Sequence, residues 1–190
     1  MKKKEIIAIT GTLGSGKSTT SDLVAKKLDF KRFSSGDFMR QIALDLGISL
    51  DKLQILAEKD YSIDKRIDNE VKKAGKMNQI VIDSRLAFHW IPNSFKVYLD
   101  LPPEIAKERI LNNLRENVLR QQSENSSTAQ EVYEKIINRL ESEKGRYKEL
   151  YGVDHTDKNN YDLIIDTKTN NLVQVVDIIV LAYQKWKEEN

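Results

Sequence analysis

Five short apolar runs punctuate the chain, at Glu5–Thr10, Arg32–Ser34, Gln79–Asp83, Phe95–Asp100 and Tyr161–Asp166, and stretches of helical spacing separate them. That alternation predicts crossover units and a parallel sheet. Nearly continuous runs such as IIAI, IVI and LII suit strands covered on both faces. The first helix is expected over Lys17–Leu28, with apolar residues at Leu23, Val24, Ala25 and Leu28. Ser35 precedes a second helix through about Leu46, which Gly47 stops. Further helices start near Ser49 and run from Ser62 to Ala74, with Gly75 past the end. Pro102 and Pro103 close the fourth strand and open a helix at Glu104. Thr128 and Glu131 have capping-box spacing ahead of a long helix toward Leu150. The last helix, Leu172–Trp186, carries a core-facing stripe of Val175, Val176, Ile179, Val180 and Tyr183. Two connections, QQSENSST (121–128) and GVDHTDKNN (152–160), are polar enough to be expected mobile. With no repeat and no linker, residues 1–190 read as one α/β domain.

Composition narrows this picture mainly by exclusion. The 31 Lys and Arg nearly cancel the 29 Asp and Glu, so no net field points to nucleic acid or a membrane surface. The absence of cysteine excludes disulfides, thiolate metal sites and a cysteine nucleophile. The two histidines, His89 and His155, lie far apart in sequence and suggest no histidine metal cluster. The apolar start is broken by Thr10 and Gly11, short of the roughly 7–15 apolar residues of a secretory signal. No stretch approaches the roughly 18 apolar residues of a membrane span. A cytoplasmic, monomeric protein with small-molecule partners is expected, with neither nucleic acid nor membrane among them.

The chemistry enters at Gly11-Thr12-Leu13-Gly14-Ser15-Gly16-Lys17-Ser18-Thr19, which fits G-x-x-x-x-G-K-[ST] between a predicted strand and a predicted helix. Glycines let the backbone bring N–H groups close to phosphate oxygens, and the helix start adds partial positive charge. Lys17 is placed to reach the β- and γ-phosphates of ATP, and the Ser18 hydroxyl to take Mg²⁺. D-x-x-G and N-K-x-D, expected of a GTPase, are absent. The acidic strand ends Asp83-Ser84-Arg85 rather than in the Asp-Glu of many ATPases. A small-molecule kinase needs a second anion pocket instead. Ser35-Gly-Asp37-Phe-Met-Arg40 after the second strand and Arg85 after the third supply one, because ligands of parallel sheets bind beyond the carboxyl ends of strands.

On these residues the chain resembles the nucleoside monophosphate kinases, and among them the short archaeal-type cytidylate kinases. The resemblance rests on GTLGSGKST, SSGDFMR, IDKRID, IDSRLA, VYLDLPPEIAKERI, ESEKGRYKELYGVD and YDLIIDT, and spans nearly the whole chain. It implies a three-layer P-loop NTPase sandwich, with a five-stranded parallel sheet in the order 2-3-1-4-5 and helices on both faces. It also implies a small substrate-binding insert (about 36–76) and a lid (about 113–150). The implied reaction is ATP plus CMP or dCMP giving ADP plus CDP or dCDP. Carried over, Ser35, Arg40 and Arg85 hold the acceptor phosphate, with Asp37 in the same segment counted among the substrate-binding residues. Asp64 and Asp68 lie near its base or ribose, and Glu143 near its sugar. Arg109 lies against the adenine of ATP, and Arg139 and Arg146 are lid arginines that close on the transferring phosphoryl.

Arg139, Glu143 and Arg146, spaced i, i+4 and i+7, share a helical face, which also suits an ordinary solvated face with i,i+4 pairs. Asp83 is expected to order Mg²⁺ through water. No general base is required, since a phosphate acceptor is already anionic. Ser84, Asn69-Glu70, Phe88-His89-Trp90 and Asn113 depart from the family pattern; His89 and Trp90 read as local packing. These departures leave open a kinase of another small acceptor, or a non-catalytic nucleotide-binding protein on the same scaffold.

Overall fold

The structure is a computed structural model that describes residues 5–116 and 129–189. Strand β1 (Ile6–Gly11) is buried along its whole length, which suits IIAITG to the centre of a sheet. It lies between β3 (Ile80–Asp83) and β4 (Phe95–Asp100), and the less buried β2 (Lys31–Ser34) and β5 (Leu163–Asp166) form the edges. All four pairings are parallel and the order is β2-β3-β1-β4-β5, as the resemblance implied.

Side chains alternate across the pleat, so β1 feeds two cores. Ile7 and Ile9 join Val24 of α1 (Lys17–Leu28) and Val175, Ile179 and Tyr183 of α8 (Leu172–Glu189). Ile6 and Ala8 pack with Val71 and Ala74 of α4 (Ser62–Ala74) and with Ala87 of the short α5 (Ala87–Trp90). Helices therefore cover both faces. Between β2 and β3, α2 (Ser35–Asp45), α3 (Leu50–Lys59) and α4 surround a separate small core of Met39, Ile42, Ala43 and Leu53. After β4 come α6 (Pro103–Glu116) and α7 (Ala129–Tyr151), which pack on each other.

Several local expectations shift. The N-cap of α2 is Ser34, whose hydroxyl accepts from the Asp37 amide at 3.2 Å; Ser35 is already helical. The displacement leaves the Ser35 hydroxyl free to reach the Asp83 carbonyl at 3.4 Å. The last strand begins at Leu163, because the residues before it form a 3-10 turn at Lys158–Asn160. That turn belongs to the 152–160 connection, which is exposed over much of its length and anchored at His155, 5% exposed, whose carbonyl accepts from Tyr161 at 2.6 Å. The final helix runs three residues past Trp186. Thr128 and the stretch 121–128 lie outside the described residues. Among the described residues no helix is long and apolar enough to cross a membrane.

Parallel pairing sends every strand's carboxyl end to one edge. The register sets Ser34 beside Asp83 and Asp83 beside Ile9, two residues before the phosphate-loop glycine Gly11. Three loops therefore begin within one small region.

Candidate active site

The loop Gly11–Ser18 is held tightly against β4. The Thr12 amide donates to the Leu99 carbonyl at 2.9 Å, and a Cβ on Gly11 would lie 2.6 Å from that oxygen. Gly14 and Gly16 take φ of 72° and 81°, where a side chain is strained. Gly16 starts α1 with no side-chain cap, so the first-turn amides of that helix receive no side-chain acceptor. The Ser15 hydroxyl is buried without a partner. A polyphosphate would supply acceptors to both, so the loop fits such an anion.

Lys17 emerges from this turn to pair with Asp83 Oδ1. Burial pushes the Lys17 ammonium below its ordinary value; Asp83 opposes that, and Arg85 and Arg32 add repulsion. The second Asp83 oxygen accepts from Ser18 Oγ at 3.0 Å and from Arg32 Nη2 at 3.1 Å. A hydroxyl and a carboxylate this close form a hard oxygen pair of the kind Mg²⁺ takes. No cluster of three acidic or histidine ligands occurs among the described residues, which suits Mg²⁺ held by one carboxylate, waters and phosphates.

Opposite lie the acceptor-side candidates. Arg40, one turn into α2, pairs with Asp37. Burial works against ionisation of Asp37, but Arg40 and Arg32 outweigh it and hold its carboxyl below the ordinary range. Arg85 pairs through Nε with Glu143, and Arg139 Nε donates to the other Glu143 oxygen at 2.9 Å. Glu143 is 4% exposed; burial would raise its pKa, and the two guanidiniums bring it below the usual carboxylate value. The i,i+4 pair Arg139–Glu143 thus forms, while Glu143 also reaches across to Arg85.

One polar cleft is lined by Lys17, Ser18, Ser35, Arg40, Asp64, Asp83, Arg85, Arg139 and Glu143. Outside the phosphate loop, four other candidates do not line it. Asp37 stands behind Arg40 in the ion pair just described. Arg146 is turned into the contact between α4 and α7, where Nε donates to Asp64 at 2.7 Å and Nη1 to Ser142 at 2.6 Å. Asp68 accepts from Tyr151, and burial raises its carboxyl pKa. Arg109 donates to the Thr167 carbonyl, just past β5, at 2.9 Å. Two further bonds, Ser142 to Glu58 at 2.7 Å and Tyr61 to Glu149 at 2.8 Å, complete a polar seam between α3–α4 and α7. His89 and Trp90 pack edge to face on each other, and both rings meet Tyr151, as local packing.

Three features escaped the sequence reading. Arg32 looked like an ordinary strand residue, yet it faces three carboxylates. Tyr147 lines the cleft. His155 is buried beside Arg85, and its pKa is lowered to about 4, by burial first and by Arg85 second. A second, largely apolar cavity lies between Gly11–Leu13 and the α7 side chains Tyr133, Ile137 and Leu140. The i, i+4, i+7 spacing of those three was the only sequence signal for it.

Residues 7–132 match the family model described as "AAA domain". The cytidylate kinase of Methanosarcina barkeri is 33% identical over 180 residues, covering 93% of this chain and 94% of that one. An S-adenosylmethionine-dependent nucleotide dehydratase of Lacinutrix mariniflava is 33% identical over 187 residues; the match covers 97% of this chain but only 37% of that longer protein. Among solved structures, shikimate kinase from Bacteroides thetaiotaomicron superposes with a TM-score of 0.62 at 14% identity, covering 95% of this chain and 98% of that one. At that identity it shares the fold alone.

Proposed function

The chain belongs to the cytidylate kinase family of nucleoside monophosphate kinases, and on that premise we propose that it transfers the γ-phosphoryl of ATP to CMP or dCMP. The bond from the γ-phosphorus to the β,γ-bridging oxygen breaks, and a phosphate oxygen of the acceptor forms the new one. ADP and CDP or dCDP result. The observation that carries this reading is the single cleft that holds Lys17, Ser18 and Asp83 beside Ser35, Arg40 and Arg85.

In this reading, the amides of Gly11–Thr19 and the Lys17 ammonium hold the polyphosphate, and Arg109 lies by the adenine. Ser18 would hold Mg²⁺ and Asp83 would order its waters, and the bound ion would supply charge neutralisation on the β- and γ-phosphates. Arg40 and Arg85, with Ser35 and Asp37, orient the acceptor phosphate in line. Asp64 and Glu143 face the nucleoside, and Asp68, turned to Tyr151 behind the cleft, would have to exchange that partner to reach it. The segment α2–α4 acts as the acceptor-binding insert and α7 as part of a lid. Arg139 and Arg146 meet the transferring group only when that lid closes, which limits loss of ATP to water. No residue is needed as a base, and positioning carries the catalysis.

An ATP-coupled assay over CMP, dCMP, UMP, AMP and GMP tests the acceptor: turnover is expected with CMP or dCMP. Lys17→Met should remove most turnover. Arg85→Ala should raise KM for CMP with ATP affinity retained; full CMP turnover in that variant would remove Arg85 from the site.

A further inference from the structure

Arg32 lies outside every motif described above, yet it joins the two halves of the cleft. Its Nη2 donates to Asp83 at 3.1 Å and its Nη1 to Asp37 at 2.9 Å, while Nε stands 3.1 Å from Asp22 of α1. Asp83 meets Lys17 and Ser18 on the phosphate side, and Asp37 meets Arg40 on the acceptor side. Cations and anions therefore alternate in one unbroken chain, Lys17–Asp83–Arg32–Asp37–Arg40. The central guanidinium is 20% exposed and Asp83 1% exposed, so the donor-side end of the link is not a solvated surface pair, while Asp37 and Arg40 at the other end are 52% and 58% exposed.

We propose that Arg32 is a positioning residue that couples the carboxylate on the phosphate-donor side, Asp83, to the acceptor-side guanidinium, Arg40. This rests on the kinase reading. When Lys17 and Ser18 turn to a polyphosphate and its metal, Asp83 loses two of its three side-chain donors, and Arg32 is the one that stays. On the other arm, Arg40 is 58% exposed and its ion-pair partner is Asp37; Arg32 pins that carboxylate from the strand side. Only a planar fork serves both arms at once, because an ammonium is a point charge with no fixed second donor direction.

The test compares the wild type with Arg32→Gln, Arg32→Lys, Asp37→Asn and the Arg32→Gln/Asp37→Asn double variant. Calorimetric titration of ATP with and without Mg²⁺ reads the Asp83 arm, and KM for CMP against kcat reads the Arg40 arm. Removing a group that orients a metal-site carboxylate typically costs about 10–100-fold in metal affinity. Arg32→Gln should lose about tenfold of the Mg²⁺-dependent gain in ATP affinity, with metal-free ATP affinity unchanged. It should also raise KM for CMP about tenfold, with a smaller change in kcat. Asp37→Asn should raise KM without touching the Mg²⁺ effect, and the double variant should raise KM no further than Arg32→Gln. Arg32→Lys should restore at most one of the two defects, and it is read in place of Arg32→Gln if that variant does not fold. An unchanged Mg²⁺ effect, additive KM effects, or rescue of both arms by lysine would each overturn the coupling. If the wild type phosphorylates no nucleoside monophosphate, the kinase reading fails, while the Mg²⁺ titration still decides the Asp83 arm.

Discussion

Asp64→Asn tests the seam between α4 and α7 directly. In the wild type Arg146 and Asp64 are 6% and 3% exposed and share a two-point contact at 2.7 and 3.4 Å. The amide keeps the shape but leaves a buried cation unneutralised. Breaking a buried pair from one side typically costs about 3–5 kcal/mol. Here Ser142 still accepts from Nη1, and helix α7 is the element proposed to move, so part of the lost solvation is recoverable. That argues for about 2–3 kcal/mol. For a chain of this size the melting temperature falls by about 2–4 °C per kcal/mol, so a decrease of about 4–12 °C is expected. Thermal and urea unfolding followed by circular dichroism measures it. The Asp64→Leu/Arg146→Met double variant should recover most of the loss, because an apolar pair leaves no charge buried. A melting temperature for Asp64→Asn within about 1 °C of wild type, well below the loss argued above, would refute the reasoning. Arg146 would then be solvated and α7 not clasped to α4 in solution.

Two other outcomes follow from the geometry. His155, with a folded pKa of about 4 against an ordinary 6.5, sits among Arg85, Glu143, Asp154 and Lys144. Its unfolded form binds the proton more readily, so its contribution is complete above pH 6.5 and is lost as pH falls toward 4. The loss is about 2–3 kcal/mol, seen as a steeper decline of urea stability between those pH values than in His155→Gln; equal slopes would refute it. Asp154, lowered to about 2, gives up its own contribution mainly below that window. Gly11→Ala would put a methyl 2.6 Å from the Leu99 carbonyl and force β1 from β4. A loss of about 1–3 kcal/mol in urea unfolding and weaker ATP binding are expected; wild-type stability would show that the sheet yields there.

How much of the site the sequence made legible depended on distance along the chain. Gly11–Ser18 was readable because each role depends on neighbours within one turn of helix. The gathering of Ser35, Arg40 and Arg85 was readable because parallel strands send all their carboxyl ends to one edge. The lid role of Arg146 came from the family resemblance, and nothing local revealed Asp64, 82 residues earlier, as its partner. The Ser34 cap was missed because adjacent serines are equivalent in pattern, and only the folded backbone, extended at Ser34 and helical from Ser35, distinguishes them.

What the chain determined by itself, then, is periodic or contiguous: the number and type of strands, the phosphate loop, and the edge at which the chemistry gathers. Tertiary structure alone decided the pairing of charges. Glu143 bridges Arg139, on its own helix, to Arg85, which is 58 residues away, and Arg32 faces three carboxylates from three elements. His155 became a neutral, buried neighbour of Arg85 by the same route. The physical reason is that a side chain's field depends on what packs within a few ångströms of it. That distance is fixed by how helices cross the sheet, and no local pattern encodes it.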